Sequence, residues 1–166
     1  DHPLGRAIRG ITILELMIVV LILGILAALG IPGFIEWKRK IDVENATKEL
    51  YSLLQAAKAK AFSEKRVCGL SWESEGVIQS FSFICDGNED GDINDEVDEL
   101  VLVKNFTVSF NENFNGRICA FNEKGFFRGL EGTFWVNNER ADYNCVSVSR
   151  TRIKLGKYQN DQCQPK

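Results

Sequence analysis

The sequence contains 166 residues, is 45% hydrophobic and carries a formal net charge of −3. This mildly acidic balance argues against a protein that binds nucleic acid through bulk positive charge. The only histidine is His2, and the sequence has no glycine-rich phosphate loop and no nucleophile with an evident base. The sequence therefore predicts a single domain behind an N-terminal hydrophobic segment, and it predicts no enzyme.

The first element is an apolar run at residues 11–29, broken only by Thr12, Glu15 and Gly24. In a helix these residues would cover about 28 Å, which is close to the hydrophobic thickness of a bilayer. The basic residues Arg6 and Arg9 precede the run. A short basic flank of this kind favours retention of the N-terminal end in the cytoplasm.

Two features distinguish this run from a plain anchor or a secretory signal. A carboxylate such as Glu15 costs about 2.5–3.5 kcal/mol at the centre of a membrane helix and less near the interface, so a partner charge is expected to meet it. In addition, Gly10 stands before the apolar run, whereas a secretory signal has its small cleavage residue after the run. Cleavage after Gly10 would keep the whole apolar helix in the mature protein.

Residues 10–20 resemble the class III signal of type IV pilins and type II secretion pseudopilins, although Ile11 stands where the family most often has Phe. In that family a prepilin peptidase cuts after the glycine and methylates the new amine, which implies a leader at 1–10 and a mature N-terminus at Ile11. The resemblance also implies that the Glu15 carboxylate pairs with the methylated amine of a neighbouring subunit. The positions in register with the family are Gly10, Thr12, Glu15 and Pro32.

The apolar run continues into an amphipathic segment. Pro32 removes one backbone donor and is expected to kink or loosen the helix between a transmembrane, filament-core half at 11–32 and a second half at 33–66. The alternative is a linker between anchor and domain. Apolar residues recur at helical spacing in the second half at Leu50, Leu53, Leu54, Ala57 and Ala61. This spacing predicts a helix with one face packed on a sheet.

Residues 67–166 predict a β-rich head. Short runs of β-branched and aromatic residues predict antiparallel strands with one wet face at 67–72, 77–84, 100–103, 106–110, 117–121, 132–136, 145–149 and 152–155. The predicted fold class is α+β, with a long N-terminal helix packed on antiparallel sheet, which the resemblance identifies as type IV pilin-like.

Three further segments, 122–125, 129–135 and 145–152, resemble the C-terminal half of GspH/FimT-type minor pilins, although the turn glycine of their last hairpin is absent here. The resemblance implies a structural subunit with a single inner-membrane span and a periplasmic head. It also implies assembly with major and minor pilins or pseudopilins, through an inner-membrane platform, near the tip of a type IV pilus or a type II secretion pseudopilus.

An acidic stretch at residues 86–99 contains eight acids and no basic residue. Its opening places oxygen ligands at alternate positions with a glycine at the sixth, as in a calcium loop, but the position where a closing glutamate belongs is Val97. The alternative is a solvated turn held by Asx hydrogen bonds. The candidate calcium ligands are Asp86, Asn88, Asp90, Asp92, Asp95 and Asp98. No other cofactor is expected.

The five cysteines suit a domain exported to an oxidising compartment. Cys68 and Cys85 flank the expected turn at 74–76 almost equally, which makes a cross-strand bridge reasonable. The resemblance to pilins with a disulfide-closed C-terminal region implies a second bridge between Cys145 and Cys163, which leaves Cys119 as a buried thiol. Sequence alone does not fix the connectivity.

Basic residues cluster near the C-terminus at Arg150, Arg152, Lys154 and Lys157. Alternate spacing through Lys154 predicts one positive strand face, and the resemblance to FimT-type pilins implies DNA capture by such residues in competence. The alternative is an ordinary solvated strand face, or a salt-bridge partner for acidic loops of a neighbouring subunit. The sequence leaves this choice open.

Overall fold

The computed structural model describes residues 10–73, 76–93 and 97–166, and the leader residues 1–9, the turn residues 74–75 and the loop residues 94–96 lie outside this description. It divides into two compact units, one up to Lys38 and one from Arg39 onward. One helix, α1 (Ile13–Glu64), belongs to both units and continues through Pro32 without a break. The loss of one backbone hydrogen bond at Pro32 therefore does not end the helix.

The strands that follow α1 are all antiparallel. They are β1 (Cys68–Ser71), β2 (Ile78–Cys85), β3 (Glu99–Glu112), β4 (Ile118–Phe121), β5 (Gly132–Trp135), β6 (Cys145–Val148), β7 (Ile153–Gln159) and β8 (Gln162–Pro165). Their order in the sheet is β4-β1-β2-β3-β5-β6-β7-β8. The predicted α+β architecture, a long N-terminal helix followed by an antiparallel sheet, is confirmed.

The sheet differs from the sequence prediction in two places. The runs predicted at 100–103 and 106–110 form one strand, because the polar residues Lys104 and Asn105 stay paired with Phe81 and Ser80 of β2. Strand β8 was not predicted. Its polar residues Gln162 and Gln164 give no apolar alternation, and the strand is placed by a tight turn whose Asn160 and Asp161 both have positive φ.

The core of the second unit lies between the amphipathic part of α1 and the sheet. Leu50, Leu54, Ala57 and Ala61 are fully buried, as the helical spacing predicted, while Leu53 is only partly buried. The sheet side is aromatic, with edge-to-face contacts joining Trp72, Phe81, Phe106, Phe110 and Phe134. Such contacts add about 0.5–1.5 kcal/mol each beyond the area they bury.

Candidate assembly and partner-binding sites

The first candidate site is the N-terminal part of α1. Every large apolar side chain from Ile13 to Ile35 is exposed, and Phe34 stacks at a tilt against Trp37 with ring centroids 5.8 Å apart. Within the described residues, this helix is long and apolar enough to cross a membrane. Such a surface is too large and too continuous for water, so it requires lipid or other apolar helices around it.

The start of α1 is held by a cap. The Glu15 backbone N–H donates to the Thr12 hydroxyl at 3.2 Å, and the Leu16 N–H donates to the Thr12 carbonyl at 3.2 Å. Thr12 is thus the N-cap, and Glu15 occupies the third helical position, the spacing of a capping box. The carboxylate of Glu15 consequently lies in the first turn, where the helix dipole favours negative charge.

The second candidate site is the acidic turn after β2. Asp86, which is 3% exposed, accepts hydrogen bonds from the backbone N–H groups of Asn88, Glu89 and Gly91 at 3.2, 2.7 and 2.7 Å. Asp98 accepts from the Gly87 N–H at 3.2 Å. Gly91 has a φ of +87°, a conformation for which glycine is preferred. The described part of the turn is therefore organised by Asx hydrogen bonds.

The proposed calcium ligands are only partly assembled in the described residues. Asn88 and Asp90 bond to each other through their side chains, and the Asp92 N–H donates to Asp90 Oδ1 at 2.8 Å. Asp95 lies outside the described residues. In residues 10–73, 76–93 and 97–166, no three His, Cys, Asp or Glu side chains converge as metal ligands do. Calcium binding stays a prediction.

The structure contains both disulfides named from the sequence. Cys68 and Cys85 are bonded across directly paired positions of β1 and β2, and Cys145 is bonded to Cys163, which links β6 to β8 across β7. Gly156 of β7 makes this approach possible, since a Cβ there would lie 2.0 Å from the Gln164 carbonyl oxygen. Cys119 is the free thiol of the five, and complete burial raises its pKa, which keeps it unreactive.

The alternate spacing of Arg150, Arg152 and Lys154 predicts one positive strand face, and the structure corrects this, because only Lys154 of the three lies in a strand. Arg150 lies in the turn between β6 and β7 and lines a depression with Arg128. Lys154 is on β7 opposite Ser147 and lines a different depression with Glu131. The physical reason is that the chain reverses at 149–152, where the Ser149 N–H donates to the Arg152 carbonyl at 2.8 Å.

Lys157 is separated from Lys154 by an odd number of positions on the same strand, so the two side chains lie on opposite faces of β7. Lys157 borders a third, amide-rich cleft near Glu139 and Asp161. Arg150, Arg152 and Lys154 are exposed and have no acidic partner within the described part of the chain.

Charge pairs tie distant segments of the head together, and sequence reasoning missed them. Asp142 accepts from Lys166 at 2.9 Å and from Lys40 at 3.0 Å, which lowers the pKa of its carboxyl to about 2. Arg66 donates to Glu99 and to Glu64, and its hydrogen bond to Glu99 is the main cause of its raised pKa. No periodic pattern signals pairs between residues so far apart in sequence.

Comparison with known proteins adds two findings, although no family model matches the chain. The chain is 49% identical over 57 residues to the type IV major pilin protein PilA of Myxococcus xanthus, which covers 34% of this chain and 26% of that protein. It is 44% identical over 52 residues to the type II secretion system core protein G of Pectobacterium carotovorum, which covers 31% of this chain and 33% of that protein. The chain thus spans at most about a third of the length of these two relatives.

The fold is similar to that of a solved minor pilin. The crystal structure of the type IV minor pilin FimU from Pseudomonas aeruginosa superimposes with a TM-score of 0.55 and 18% identity, over 73% of this chain and 92% of that chain. The sequence similarity is to a pilin and to a type II secretion protein, and the structural similarity, at 18% identity, shows a pilin-like fold.

Proposed function

We propose that this chain, a relative of the type IV pilins and pseudopilins, is a minor pilin or pseudopilin. It is cut by prepilin peptidase after Gly10, spans the inner membrane once with its head in the periplasm, and is then extracted by the assembly platform into a filament near its tip. The observation that carries the proposal is the wholly exposed apolar surface of α1, which begins at the capped turn of Thr12 and Glu15. The filament is a type IV pilus or a type II secretion pseudopilus.

The N-terminal cap of α1 suggests how Ile11 and Glu15, two positions of the family motif, would act in assembly. Cleavage after Gly10 leaves the amine of Ile11 one residue before the N-cap. In a helical array of subunits, the Glu15 carboxylate then offers the counter-charge for the amine of an adjacent subunit, and pairing lowers the cost of moving both charges into an apolar filament core. The pairing would set the register between neighbouring subunits.

Processing can be tested on the full chain expressed with and without prepilin peptidase. We expect the mass of the chain from peptidase-positive cells to correspond to an N-methylated Ile11 terminus. Gly10→Val should keep the leader, because a branched side chain replaces the small residue before the cut, while the exposed Gly33→Val serves as a matched control that is still cut. Equal masses for the wild type and Gly10→Val would contradict the assignment of the cleavage site.

A second candidate function is DNA binding during competence by the same filament subunit. It is favoured by Arg150, Arg152 and Lys154 at the β6–β7 hairpin, which are exposed and form no salt bridge with any residue that the structure describes. The test is titration of fluorescent duplex DNA with the full chain in detergent at two salt concentrations, beside the triple alanine variant of these residues. Binding that weakens with salt and disappears in the variant supports this function, because phosphate contacts release counterions. The absence of binding at low salt removes it.

A further inference from the structure

Strand β3 has a long edge that no other strand covers. Its partner on one side is β2, which pairs with residues between Glu99 and Phe110. On the other side, β5 pairs only with Asn111 and Glu112. Within residues 10–73, 76–93 and 97–166, no segment pairs with the second edge of β3 at residues 99–110. Because Phe106 and Phe110 are buried, we call only residues 99–105, on the side away from β2, the open edge.

The other two ends of the sheet are short or already covered. Next to β4, Phe127 forms a bridge to Phe121, and the Arg128 N–H donates to the Ala120 carbonyl at 3.0 Å. At the other end, β8 has four residues, includes Pro165 and is tied down by the disulfide of Cys163. Covered edges, short strands and proline are usual protections against pairing with another chain.

The open edge lacks these protections. Residues 99–105 contain neither proline nor glycine, and their only charged residues are Glu99 and Lys104. Both charges are neutralised inside the chain, Glu99 by Arg66 and Lys104 by Glu49. Between them, Leu100 and Val103 are 57% and 51% exposed, although they lie in a strand. Although the pairing of β2 with β3 is interrupted at Val101, an edge with exposed apolar side chains and no unpaired charge is a template for strand addition.

We propose that the open edge binds an extended segment of another subunit in the filament, which adds a strand to the sheet beside β3. Backbone N–H and C=O groups along the edge select a strand as the occupant, because a helix or an irregular loop cannot pair with the whole row. The side chains that face Leu100 and Val103 in this segment are apolar and uncharged. The inference rests on the proposed function, since it names the partner as a co-assembled subunit.

The donor is a different protein, not a second copy of this chain. Two copies that paired their open edges would form a closed two-fold dimer, whereas filaments grow through contacts between different surfaces. For a contact between different surfaces, a second copy would have to offer another long free edge, and the described residues contain none. A subunit of different sequence can supply a free strand and does not close a two-fold dimer.

The test uses the full chain in cells that contain the complete assembly machinery. A photo-crosslinking benzoylphenylalanine replaces Val103 in one variant and Leu21, on the exposed part of α1, in another. We expect the Val103 variant to form a crosslink whose partner peptide, identified by mass spectrometry, lies in a strand of another pilin-like subunit. A control at Leu130, which is 72% exposed outside the strands, should give no such crosslink.

The two positions separate failure of this inference from failure of the proposed function. Crosslinks from Leu21 without any from Val103 would overturn strand addition and leave filament assembly intact. The absence of crosslinks from both positions would overturn both. Crosslinks from Val103 to a second copy of the same chain would overturn the assignment of the donor.

A charged variant supplies an independent readout. Val103→Lys places an unpaired charge on the open edge, a usual defence against strand addition, while Leu130→Lys makes the same change elsewhere on the surface. With the crosslinker at Leu100, we expect Val103→Lys to lose the intersubunit crosslink and Leu130→Lys to retain it, with both variants unfolding at the wild-type temperature. An undiminished crosslink in Val103→Lys would contradict the proposal.

Discussion

At the scale of single residues, Asp142 shows how the head is held at its ends. Its carboxylate receives hydrogen bonds from Lys166 at the C-terminal end of the described chain and from Lys40 on α1. Its backbone N–H donates to the Glu44 carboxylate at 2.8 Å. One loop residue therefore connects the helix with the segment that follows β8. The Asp142 side chain is exposed, so each of its ion pairs contributes modestly to stability. The three contacts together fix the position of the loop.

This connection predicts a specific dependence of stability on pH. Pairing lowers the pKa of Asp142 to about 2 from its ordinary value of 3.8. The carboxylate therefore stabilises the folded state above the unfolded pKa, and this contribution is lost as the pH falls through 2. We expect Asp142→Asn to reduce the free energy of unfolding at pH 6, and the difference from the wild type to become much smaller as the pH falls to 2. Urea unfolding of the full chain in detergent at several pH values measures it.

Asp161→Asn is the matched control, because Asp161 forms no salt bridge within the described residues. Its difference from the wild type should stay nearly constant over the same range. If the effect of Asp142→Asn were just as large at pH 2 as at pH 6, its carboxylate would not be paired in the folded protein.

At the scale of single elements, the acidic turn after β2 combines strong local order with a high density of charge. Asp86 accepts three backbone hydrogen bonds, and Ile93 is buried against Val67 and Ala120, which attaches the turn to the sheet. The arrangement orders the start of the turn without any ion. Repulsion among the exposed acids still favours a cation, so the sequence-based expectation of calcium binding can be tested directly.

The prediction is that Ca²⁺ raises the unfolding temperature of the full chain relative to the same protein in EDTA, because binding to the folded state alone stabilises it. Asp98→Asn is the informative variant. The amide oxygen can still accept the hydrogen bond from the Gly87 N–H, but the charge is gone. We expect this variant to lose much of the calcium-dependent shift, whereas Glu139→Gln, far along the sequence, should keep it. Equal unfolding temperatures with Ca²⁺ and with EDTA would contradict calcium binding, and the segment would then be a turn held by Asx hydrogen bonds alone.

The elements differ in how far the sequence could predict them. The helical spacing of Leu50, Leu54 and Ala57 and the alternation of Val146 and Val148 follow directly from burial on one side, so these segments were predicted correctly. The continuity of β3 depends on its pairing with a neighbouring strand, and the presence of β8 depends on a turn. Local patterns of apolar and polar residues carry no information about such contacts. The same limit explains the basic residues, whose faces were set by the reversal of the chain at 149–152 and not by spacing alone.

At the scale of the whole molecule, the chain divides its surface between two kinds of contact. The exposed apolar side chains of α1 suit lipid or other apolar helices, while the open edge of β3 suits a strand. The resemblance carried by Gly10, Thr12, Glu15 and Pro32 could be recognised from the sequence. The open edge could not, because an unpaired strand is defined only by the strands that are absent beside it.

The central claim, assembly into a filament through α1 and Glu15, is tested most directly by Glu15→Ala. The fraction of the full chain found in membranes and in purified filaments is measured for the wild type, Glu15→Ala and the exposed head variant Glu123→Ala. We predict that Glu15→Ala reaches the membrane at the wild-type level, because an apolar helix inserts more easily without its carboxylate, and that it is missing from filaments, because the amine of the neighbouring subunit loses its counter-charge. Glu123→Ala should enter filaments normally. Wild-type amounts of Glu15→Ala in filaments would contradict the account.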